Sequence, residues 1–317
     1  MATDRCVTAF APASIGNVGV GFDMLGLAIA GVGDHVSARL SSTPGVSIAE
    51  VRGLDGEIHP WLSTHTEQNT ASIAAAALWQ AHGTGAGVEL RISKGVPLQS
   101  GMGGSAASAV ASVVAVNALL ETPLAIPRLL PYALRGETFA SGGTHADNVA
   151  PSLLGGLVFC PDVLHPTMIP LTAIQGISSV VLHPEMQIST ASARKKLARG
   201  YTLEQWLQQQ GYLGGFLLAC ERGDLALLRR TLMDVVIEPQ RADSVPCFHA
   251  VKEAAMIANA LGCSLSGSGP SIFALCENND AANVATAMEQ ACRGFGYQCQ
   301  SWISAMTAPG AFVESRE

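Results

Sequence analysis

Residues 96–108, VPLQSGMGGSAAS, place a glycine-rich loop directly before a run of small residues that is typical of a tightly packed helix. The unpaired N–H groups and partial positive charge at a helix N-terminus bind phosphate without a basic side chain. Glycines at positions 101, 103 and 104 let the backbone approach an anion closely and adopt positive φ. The pattern therefore predicts a phosphate-binding loop, against the simpler interpretation of a tight strand-to-helix turn without a ligand.

Two widespread nucleotide-binding loops differ from this one. A Walker loop, GxxxxGK[ST], has a lysine before its last residue, whereas a glycine precedes Ser105 here. The dinucleotide motif GxGxxG/A matches Gly101, Gly103 and Ala106, but it requires an acidic residue at the end of the next strand, about 20 residues on. Glu121 lies nearest that distance and is followed by TPLAIP, which is no strand end. A dinucleotide-dependent oxidoreductase is therefore the weaker alternative.

The composition argues against several classes of protein. The 317 residues carry 18 basic and 25 acidic side chains, a net charge of −7, without the clustered Lys and Arg of a nucleic-acid-binding surface. The eight cysteines form no CxxC pair and lie mostly in apolar runs, which predicts reduced thiols rather than zinc ligands or disulfides. The polar start MATDRCVTAF lacks the apolar core of a signal peptide, and residues 95–120 are too polar to span a bilayer. We expect a cytoplasmic protein without nucleic-acid or membrane partners.

Hydrophobic periodicity predicts mixed strands and helices along the whole chain. In the first half it predicts strands over 88–96 and 155–159 and helices over 70–82, 105–120 and 127–141. In the second half it predicts strands over 177–183, 270–276 and 297–306 and helices over 203–219, 224–236, 247–261 and 281–292. We expect an α+β fold with two domains, residues 1–160 and 161–317.

Four motifs resemble those of the GHMP kinase family and occur along the chain in the family's order. The segment 97–107, PxxxGxGxSAA, resembles the family's phosphate loop, although the family usually reads GLGSS where this chain reads GMGGS. Residues 10–29, FAPASIGNVGVGFDMLGLAI, and 145–156, HADNVAPSLLGG, look like the N-terminal and central motifs of the members that act on homoserine. Residues 265–275, LSGSGPSIFAL, resemble the C-terminal glycine loop of the family. Together the motifs are highly specific and cover the chain from end to end.

The resemblance implies a two-domain GHMP-kinase-like fold, with an N-terminal α/β domain that carries the phosphate loop and a C-terminal ferredoxin-like α+β sandwich. It implies ATP- and Mg²⁺-dependent phosphorylation of the side-chain hydroxyl of L-homoserine to O-phospho-L-homoserine, on the route to threonine. Other members act on sugars or on mevalonate, and a silent amino-acid sensor on the same fold is a further alternative. The sequence does not set the oligomeric state, and a homodimer is compatible with it.

The resemblance also assigns the nucleotide site. Ser105 and Glu137 are expected to hold Mg²⁺ and to act in catalysis. Asn69 is expected on the adenine side, although N-capping of a helix explains it equally well. Lys94 is expected to approach a phosphate, with a surface position at a strand end as the favoured alternative. The remaining contacts are expected in the loop itself, at Pro97, Leu98, Gln99, Ser100, Gly101, Met102, Gly103, Gly104, Ser105, Ala106 and Ala107.

Homoserine is a zwitterion with a terminal hydroxyl, so its pocket needs an anionic or amide group for the ammonium and a cation for the carboxylate. By resemblance, Asn17 and Asp23 face the ammonium, although both residues also suit loop turns. Arg194 and Arg241, with Thr190 nearby, are expected to bind the carboxylate, because a guanidinium can bind both of its oxygens.

The motif HADN supplies the last expected catalytic residues, Asp147 and Asn148. By resemblance, the asparagine is presented to the substrate. Because an amide cannot accept a proton as a base, the mechanism would then rely on orientation, magnesium and the helix dipole. His145 is a base by residue type, but a structural histidine beside the Gly142–Gly143 turn is the expected role.

Overall fold

The computed structural model describes residues 5–143, 145–162, 165–197 and 200–316, and within these ranges the chain forms two sheets with helices packed on them. The strands are β1 (Cys6–Gly16), β2 (Leu25–Ser41), β3 (Gly45–Arg52), β4 (Gly87–Ser93), β5 (Leu157–Phe159), β6 (Ile169–Pro170), β7 (Ile177–Pro184), β8 (Gly262–Leu265), β9 (Ile272–Glu277), β10 (Cys299–Ala305) and β11 (Phe312–Arg316). The α-helices are α1 (Thr70–His82), α2 (Gly104–Asn117), α3 (Leu130–Ser141), α4 (Ala146–Leu154), α5 (Thr190–Lys195), α6 (Leu203–Arg222), α7 (Leu225–Thr231), α8 (Glu238–Arg241), α9 (Phe248–Ile257) and α10 (Ala281–Gly294).

The first sheet joins strands in the order β11-β1-β2-β4-β3, and β5 and β6 extend it from β2. The long strands β1 and β2 pair antiparallel, and β2 pairs antiparallel with β4. Strands β3 and β4 are parallel, because α1 forms the crossover connection between them. The loop at 96–103 leaves the end of β4 and leads directly into α2.

Helix α2 lies between the first sheet and helices α1, α3 and α4. Every residue from 106 to 117 is buried, and all but the last are Ala, Val or Ser. Small side chains allow neighbouring elements to approach α2 from several sides at the density of a protein interior. The run of small residues therefore produces a central helix, and the predicted phosphate loop leads directly into its N-terminus.

The second sheet has the order β10-β7-β9-β8 and is antiparallel throughout. The strand and helix order along this part of the chain is β-α-β-β-α-β, the ferredoxin-like arrangement. Helices α9 and α10 pack on one face, over a core that includes Phe248 and Met288. The predicted α+β fold with a ferredoxin-like second half is confirmed.

The two halves of the chain share a core, and strands from the second half join the first sheet. One hydrophobic cluster contains Ile15 and Leu27 of the first sheet together with Phe216 and Phe273 of the second half. Strand β11 returns from the end of the chain to pair with β1, and β6 pairs with β5. The division at residue 160 thus stays a prediction, and the second half contributes two strands to the first sheet.

Element positions follow the sequence pattern closely where the apolar period is strong. The predicted helix over 70–82 is α1 to the residue, and α2, α6 and α10 lie within a few residues of their predicted bounds. The helix predicted over 224–236 is wrong beyond residue 231, because the C-cap residue Leu232 leaves the helical region with φ −77° and ψ 66°. The sequence did not indicate β1 and β2, whose motif was interpreted only by resemblance.

Three further findings bear on the alternatives. The glycine loop lies between β4 and α2 in a sheet where β4 has an antiparallel neighbour, unlike the parallel βαβ unit of a dinucleotide-binding fold. All eight cysteines are free thiols, and six of them are buried. No helix in the described part of the chain is long and apolar enough to cross a membrane.

Candidate active site

A cavity of about 420 Å³ opens at the N-terminus of α2. Its walls come from both halves of the chain. The first half supplies the predicted phosphate loop, α3 and α4, and the second half supplies α5, Arg241 and the second glycine loop, which is residues 265–275. A volume of this size is ordinary for a small-molecule site. Most of the residues predicted from the sequence line it, including Asn17, Asp23, Asn69, Lys94, Pro97, Leu98, Gln99, Ser100, Gly101, Gly103, Gly104, Ser105, Glu137, Asp147, Asn148, Thr190, Arg194 and Arg241.

Two glycines of the phosphate loop occupy conformations that other residues rarely adopt. Gly101 has φ 77°, and Gly103 is the N-cap of α2 with φ 66° and ψ 31°. A Cβ on Gly103 would collide with Ser14 Oγ and lie 2.9 Å from Asn148 Oδ1. The loop therefore requires glycine at these two positions, and the helix N-terminus stays open to the cavity.

The second glycine loop holds the phosphate loop from outside. Ser266 donates its hydroxyl to the Gly101 carbonyl at 2.7 Å, and the Ser271 N–H donates to the Ser100 carbonyl at 3.0 Å. A Cβ on Gly101 would meet the backbone carbonyls of residues 266 and 269. The sequence predicted both loops but not their mutual contact. That contact joins the C-terminal half to the predicted phosphate site.

Lys94 corrects one interpretation made from the sequence. It is a buried residue rather than a surface lysine at a strand end. Its ammonium forms an ion pair with Asp34 and donates to the Gly104 carbonyl at 2.8 Å and to the Ser108 hydroxyl at 2.9 Å. These bonds account for the three N–H donors of a lysine. Its contact with a phosphate remains a prediction.

Ser105 and Glu137, the expected Mg²⁺ ligands, lie side by side, and their contact with a metal stays a prediction. The Ser105 hydroxyl, in the first turn of α2, donates to Glu137 Oε2 at 2.7 Å. Glu137 reaches this position from the last half of α3 and is buried. A buried carboxylate beside a hydroxyl at a helix N-terminus is a pair of hard oxygen donors.

The side-chain amides of Asn69 and Asn17 form hydrogen bonds to nearby backbone groups. Asn69 is the N-cap of α1, where its side chain accepts from the Ala71 N–H at 3.0 Å. Asn17 has φ 67°, accepts from the Asp23 N–H at 3.1 Å and donates to the Gly267 carbonyl at 3.0 Å. The capping and turn roles proposed as alternatives are thus present. The ligand contacts of both residues remain predictions.

Opposite charges meet at the far end of the cavity. Arg194 forms a bidentate ion pair with Asp23, with N···O distances of 3.0 and 2.7 Å. Arg241 is buried, donates to the Gly267 carbonyl at 2.9 Å and has a pKa lowered by burial and then by the charge of Arg194. Thr190 stands at the start of α5, with its hydroxyl 3.3 Å from that of Ser268. Two guanidinium groups and a carboxylate are therefore concentrated around one small space.

Asp147 and His145 complete this end of the site. Burial, and next the negative charge of Asp23, raise the pKa of the Asp147 carboxyl to about 7. Burial lowers the pKa of His145, with the charges of Arg194 and Arg241 adding to that shift against Asp23. His145 lines the same cavity, where its Nδ1 lies 3.6 Å from Asp23 Oδ1 and both ring nitrogens are buried without a hydrogen-bond partner. Its expected structural role stays a prediction.

Unpartnered buried polar atoms concentrate in this cavity. Within the described residues, six buried side-chain nitrogen or oxygen atoms lack a hydrogen-bond partner, and five of them belong to residues that line it. These five are His145 Nδ1 and Nε2, Asp147 Oδ1, Arg194 Nε and Arg241 Nε. Because a buried polar group without a partner is costly, such a cluster indicates a polar ligand that supplies the missing bonds.

The sequence analysis missed three residues that shape the site. Asp34 and Ser108 bind Lys94 beneath the loop, and Phe22 lies against both arginines. A lone acidic residue inside the apolar run of β2 was a usable signal for Asp34, since buried carboxylates need partners. No signal in the sequence pointed to Phe22, because its contacts come from residues more than 170 positions away.

Comparison with known proteins adds family matches that cover much of the chain. Residues 69–156 match the family model described as GHMP kinases N terminal domain, and residues 216–294 match GHMP kinases C terminal. A homoserine kinase of Xanthomonas campestris pv. campestris is 44% identical over 97% of this chain and 94% of its own length.

Solved structures give the same picture. The crystal structure of a homoserine kinase from Cytophaga hutchinsonii superposes with a TM-score of 0.93 at 37% identity, covering 99% of this chain and 98% of its own. A Lactococcus lactis galactokinase complexed with galactose has a TM-score of 0.68 at 14% identity, covering 97% and 95% of the two chains. The second likeness concerns the fold alone.

The raised pKa of Asp147 predicts a pH-dependent cost to stability. Between about pH 4 and pH 7 the folded protein holds a proton that the unfolded chain has released, so the free energy of unfolding falls as the pH rises through this window. Asp147→Asn removes this loss, which amounts to at most roughly 4 kcal/mol at about 1.4 kcal/mol per pKa unit. The stability of the variant relative to the wild type should therefore increase from pH 4 to pH 7 and then level off.

Urea unfolding at several pH values between 4 and 8 measures this difference. Asp55→Asn, at an exposed loop residue, is the matched control and should show no such trend. A difference between wild type and Asp147→Asn that is constant with pH would contradict the shifted pKa.

Proposed function

The chain belongs to the GHMP kinase family, and we propose that it transfers the terminal phosphoryl group of ATP to the side-chain hydroxyl of L-homoserine. A relative named homoserine kinase is 44% identical to this chain over 97% of its length, and this similarity supports the proposed activity. The observation that carries the choice of substrate is the charge arrangement beyond the phosphate loop. There Asp23 and Asp147 lie with Arg194 and Arg241 in one cavity, as a zwitterion with a terminal hydroxyl requires.

ATP would bind with its phosphates at the start of α2. The N–H groups of the first helical turn have no partners within the helix, and the partial positive charge of the helix end favours an anion. The positive φ at Gly101 and Gly103 brings the loop backbone to this position. The adenine end would extend along the cavity towards Val51, Leu62 and Asn69.

The residues at the loop fit an Mg²⁺ ion. Ser105 and Glu137 offer neighbouring oxygen donors, which this ion prefers. No group of three or more His, Cys, Asp or Glu side chains suitable for a metal occurs in the described ranges, so the remaining ligands would come from phosphate oxygens and water. When bound there, Mg²⁺ would neutralise the phosphate charge.

The substrate would lie between the acidic and basic groups of the cavity. Its carboxylate would contact the carboxylate clamp, which is Arg194 and Arg241, and its ammonium would face Asp23 and Asp147. Binding would also give partners to the unpaired polar atoms there. A neutral sugar has no charges to exchange with these groups, so a sugar kinase of the same family is a poorer fit.

Catalysis would depend on orientation and charge. Ser14 donates its hydroxyl to Asn148 Oδ1 at 3.0 Å, which fixes the amide close to the loop. Asn148 can orient the attacking hydroxyl but cannot act as its base. In a loose phosphoryl-transfer transition state little of the attacking bond has formed, so positioning and electrostatic stabilisation supply most of the rate. A role of Asp147 in proton transfer remains a prediction.

The free thiols fit a reducing compartment, and we place the reaction in the cytoplasm.

An ADP-release assay with a panel of acceptors tests the proposed activity. We expect homoserine to give a kcat/KM at least about tenfold above those of serine, threonine, mevalonate and galactose. Serine and threonine carry both charges but hold the hydroxyl one carbon closer to them, and mevalonate and galactose have no ammonium group. A better sugar or mevalonate substrate would overturn the assignment while keeping the family.

Glu137→Gln tests the metal ligand. The substitution keeps the size of the side chain and removes its charge, so turnover should fall by about 100-fold or more and the Mg²⁺ concentration for half-maximal rate should rise. Nucleotide binding measured without Mg²⁺ should change little. The exposed Glu253→Gln serves as the matched control. Unaltered turnover at limiting Mg²⁺ would remove Glu137 from the site.

Asp23→Asn tests the recognition of the zwitterion. In the wild type, the carboxylate of a substrate without an ammonium group takes Arg194 from Asp23. The Asp23 carboxylate is then left without a positive partner. The variant removes this cost, so its kcat/KM ratio for homoserine over 4-hydroxybutanoate should fall by roughly 10- to 100-fold. The control is Asp55→Asn, at an exposed loop acid. A ratio equal to that of the wild type would show that Asp23 does not read the ammonium.

A further inference from the structure

The ring of Phe22 lies against both arginines of the carboxylate clamp. The guanidinium carbons of Arg194 and Arg241 are each 5.2 Å from the centroid of the ring. This distance lies within the range of a cation–π interaction, in which a cation is attracted to the negative face of an aromatic ring. Phe22 belongs to the turn between β1 and β2, whereas the arginines come from the other half of the chain.

The clamp brings two like charges together, so something must hold them. Asp23 neutralises Arg194 through a bidentate pair, whereas Arg241 has one hydrogen bond to the Gly267 carbonyl and no carboxylate within ion-pair distance among the described residues. Arg241 is buried, and both its burial and Arg194 lower its pKa. A desolvated guanidinium in this position gains more from an aromatic face than an exposed one.

The ring has to contact the two arginines both before and after a substrate carboxylate binds to them. When a substrate carboxylate arrives, Arg194 exchanges the carboxylate of Asp23 for that of the ligand. A ring face is a non-directional partner that keeps its attraction while the N–H groups change acceptors. Asp23 follows Phe22 directly in the chain, so the same turn supplies both the carboxylate and the ring.

We infer that Phe22 is a positioning residue that holds Arg194 and Arg241 through the negative face of its ring and so sets the affinity for the substrate carboxylate. This inference rests on the proposed function, since it assumes that the two arginines bind the carboxylate of homoserine. It assigns Phe22 no contact with ATP and no part in phosphoryl transfer.

Graded fluorination of this ring isolates the electrostatic contribution. Fluorine weakens the negative face of the ring stepwise with little change in its shape, so mono-, di- and trifluorophenylalanine at position 22 should raise the KM for homoserine progressively. The total rise should be about three- to tenfold. Neither kcat nor the KM for ATP should change. Calorimetric titration with homoserine gives the same comparison for binding alone.

Two shape controls separate this role from simple packing. Cyclohexylalanine at position 22 keeps the bulk of the side chain but has no aromatic face, so its KM for homoserine should be as high as that of the trifluorinated protein. Phe22→Tyr keeps an aromatic face and should retain the wild-type KM. Phe295→Leu, at a side chain that is 53% exposed, is the matched control away from the site. All variants should melt within a few degrees of the wild type.

The outcomes distinguish the inference from the proposed function. A wild-type protein that does not phosphorylate homoserine refutes the proposed function. An active wild type with a KM that is flat across the fluorinated series, or with cyclohexylalanine equal to phenylalanine, refutes the role of Phe22 alone. Parallel changes in the KM for ATP would also refute it, since a general disturbance of the fold would then explain the result.

Discussion

A buried ion pair beneath the phosphate loop fixes the geometry on which the site depends. Asp34 is fully buried in β2 and accepts hydrogen bonds from the N–H groups of Gly95 and Val96, at 2.9 and 3.1 Å. Its other oxygen bonds Lys94 and the hydroxyl of Ser108 in α2. A buried charge pair is tolerated only when its remaining donors and acceptors are satisfied, which is the case here. One carboxylate thereby ties β2, the end of β4, the loop and α2 together.

The C-terminal half completes the site from the opposite side. Its glycine loop bonds the carbonyls of Ser100 and Gly101, and its arginines enter the cavity beyond them. Strand β11 then returns to pair with β1, so the halves are connected at both ends of the shared core. This arrangement connects the expected phosphate site and the expected carboxylate site through direct backbone and side-chain hydrogen bonds.

Electrostatics divides the cavity into two chemically distinct ends. At one end the helix N-terminus, Ser105 and Glu137 suit a nucleotide and its counter-ion. At the other end a cluster of opposite charges holds several unpaired polar atoms, which a charged ligand would satisfy. Polar groups that the fold has already oriented need no rearrangement when the substrate reacts, and they therefore stabilise the charge of a transition state strongly.

The glycine-rich loop and the main helices could be read from the sequence alone, and most of the site residues that the resemblance predicts line one cavity. Glycine at 101 and 103, the small-residue run of α2 and the four motifs are local properties, because backbone conformation and helical period are set by neighbours in the chain. Packing between distant elements determines the burial of Lys94, the burial of the His145 nitrogens beside Asp23 and the contacts of Phe22. Each of these depends on partners distant in sequence, such as Asp34, 60 residues from Lys94. Burial and pairing of a side chain arise from packing between elements, and no local pattern in the chain encodes which elements meet.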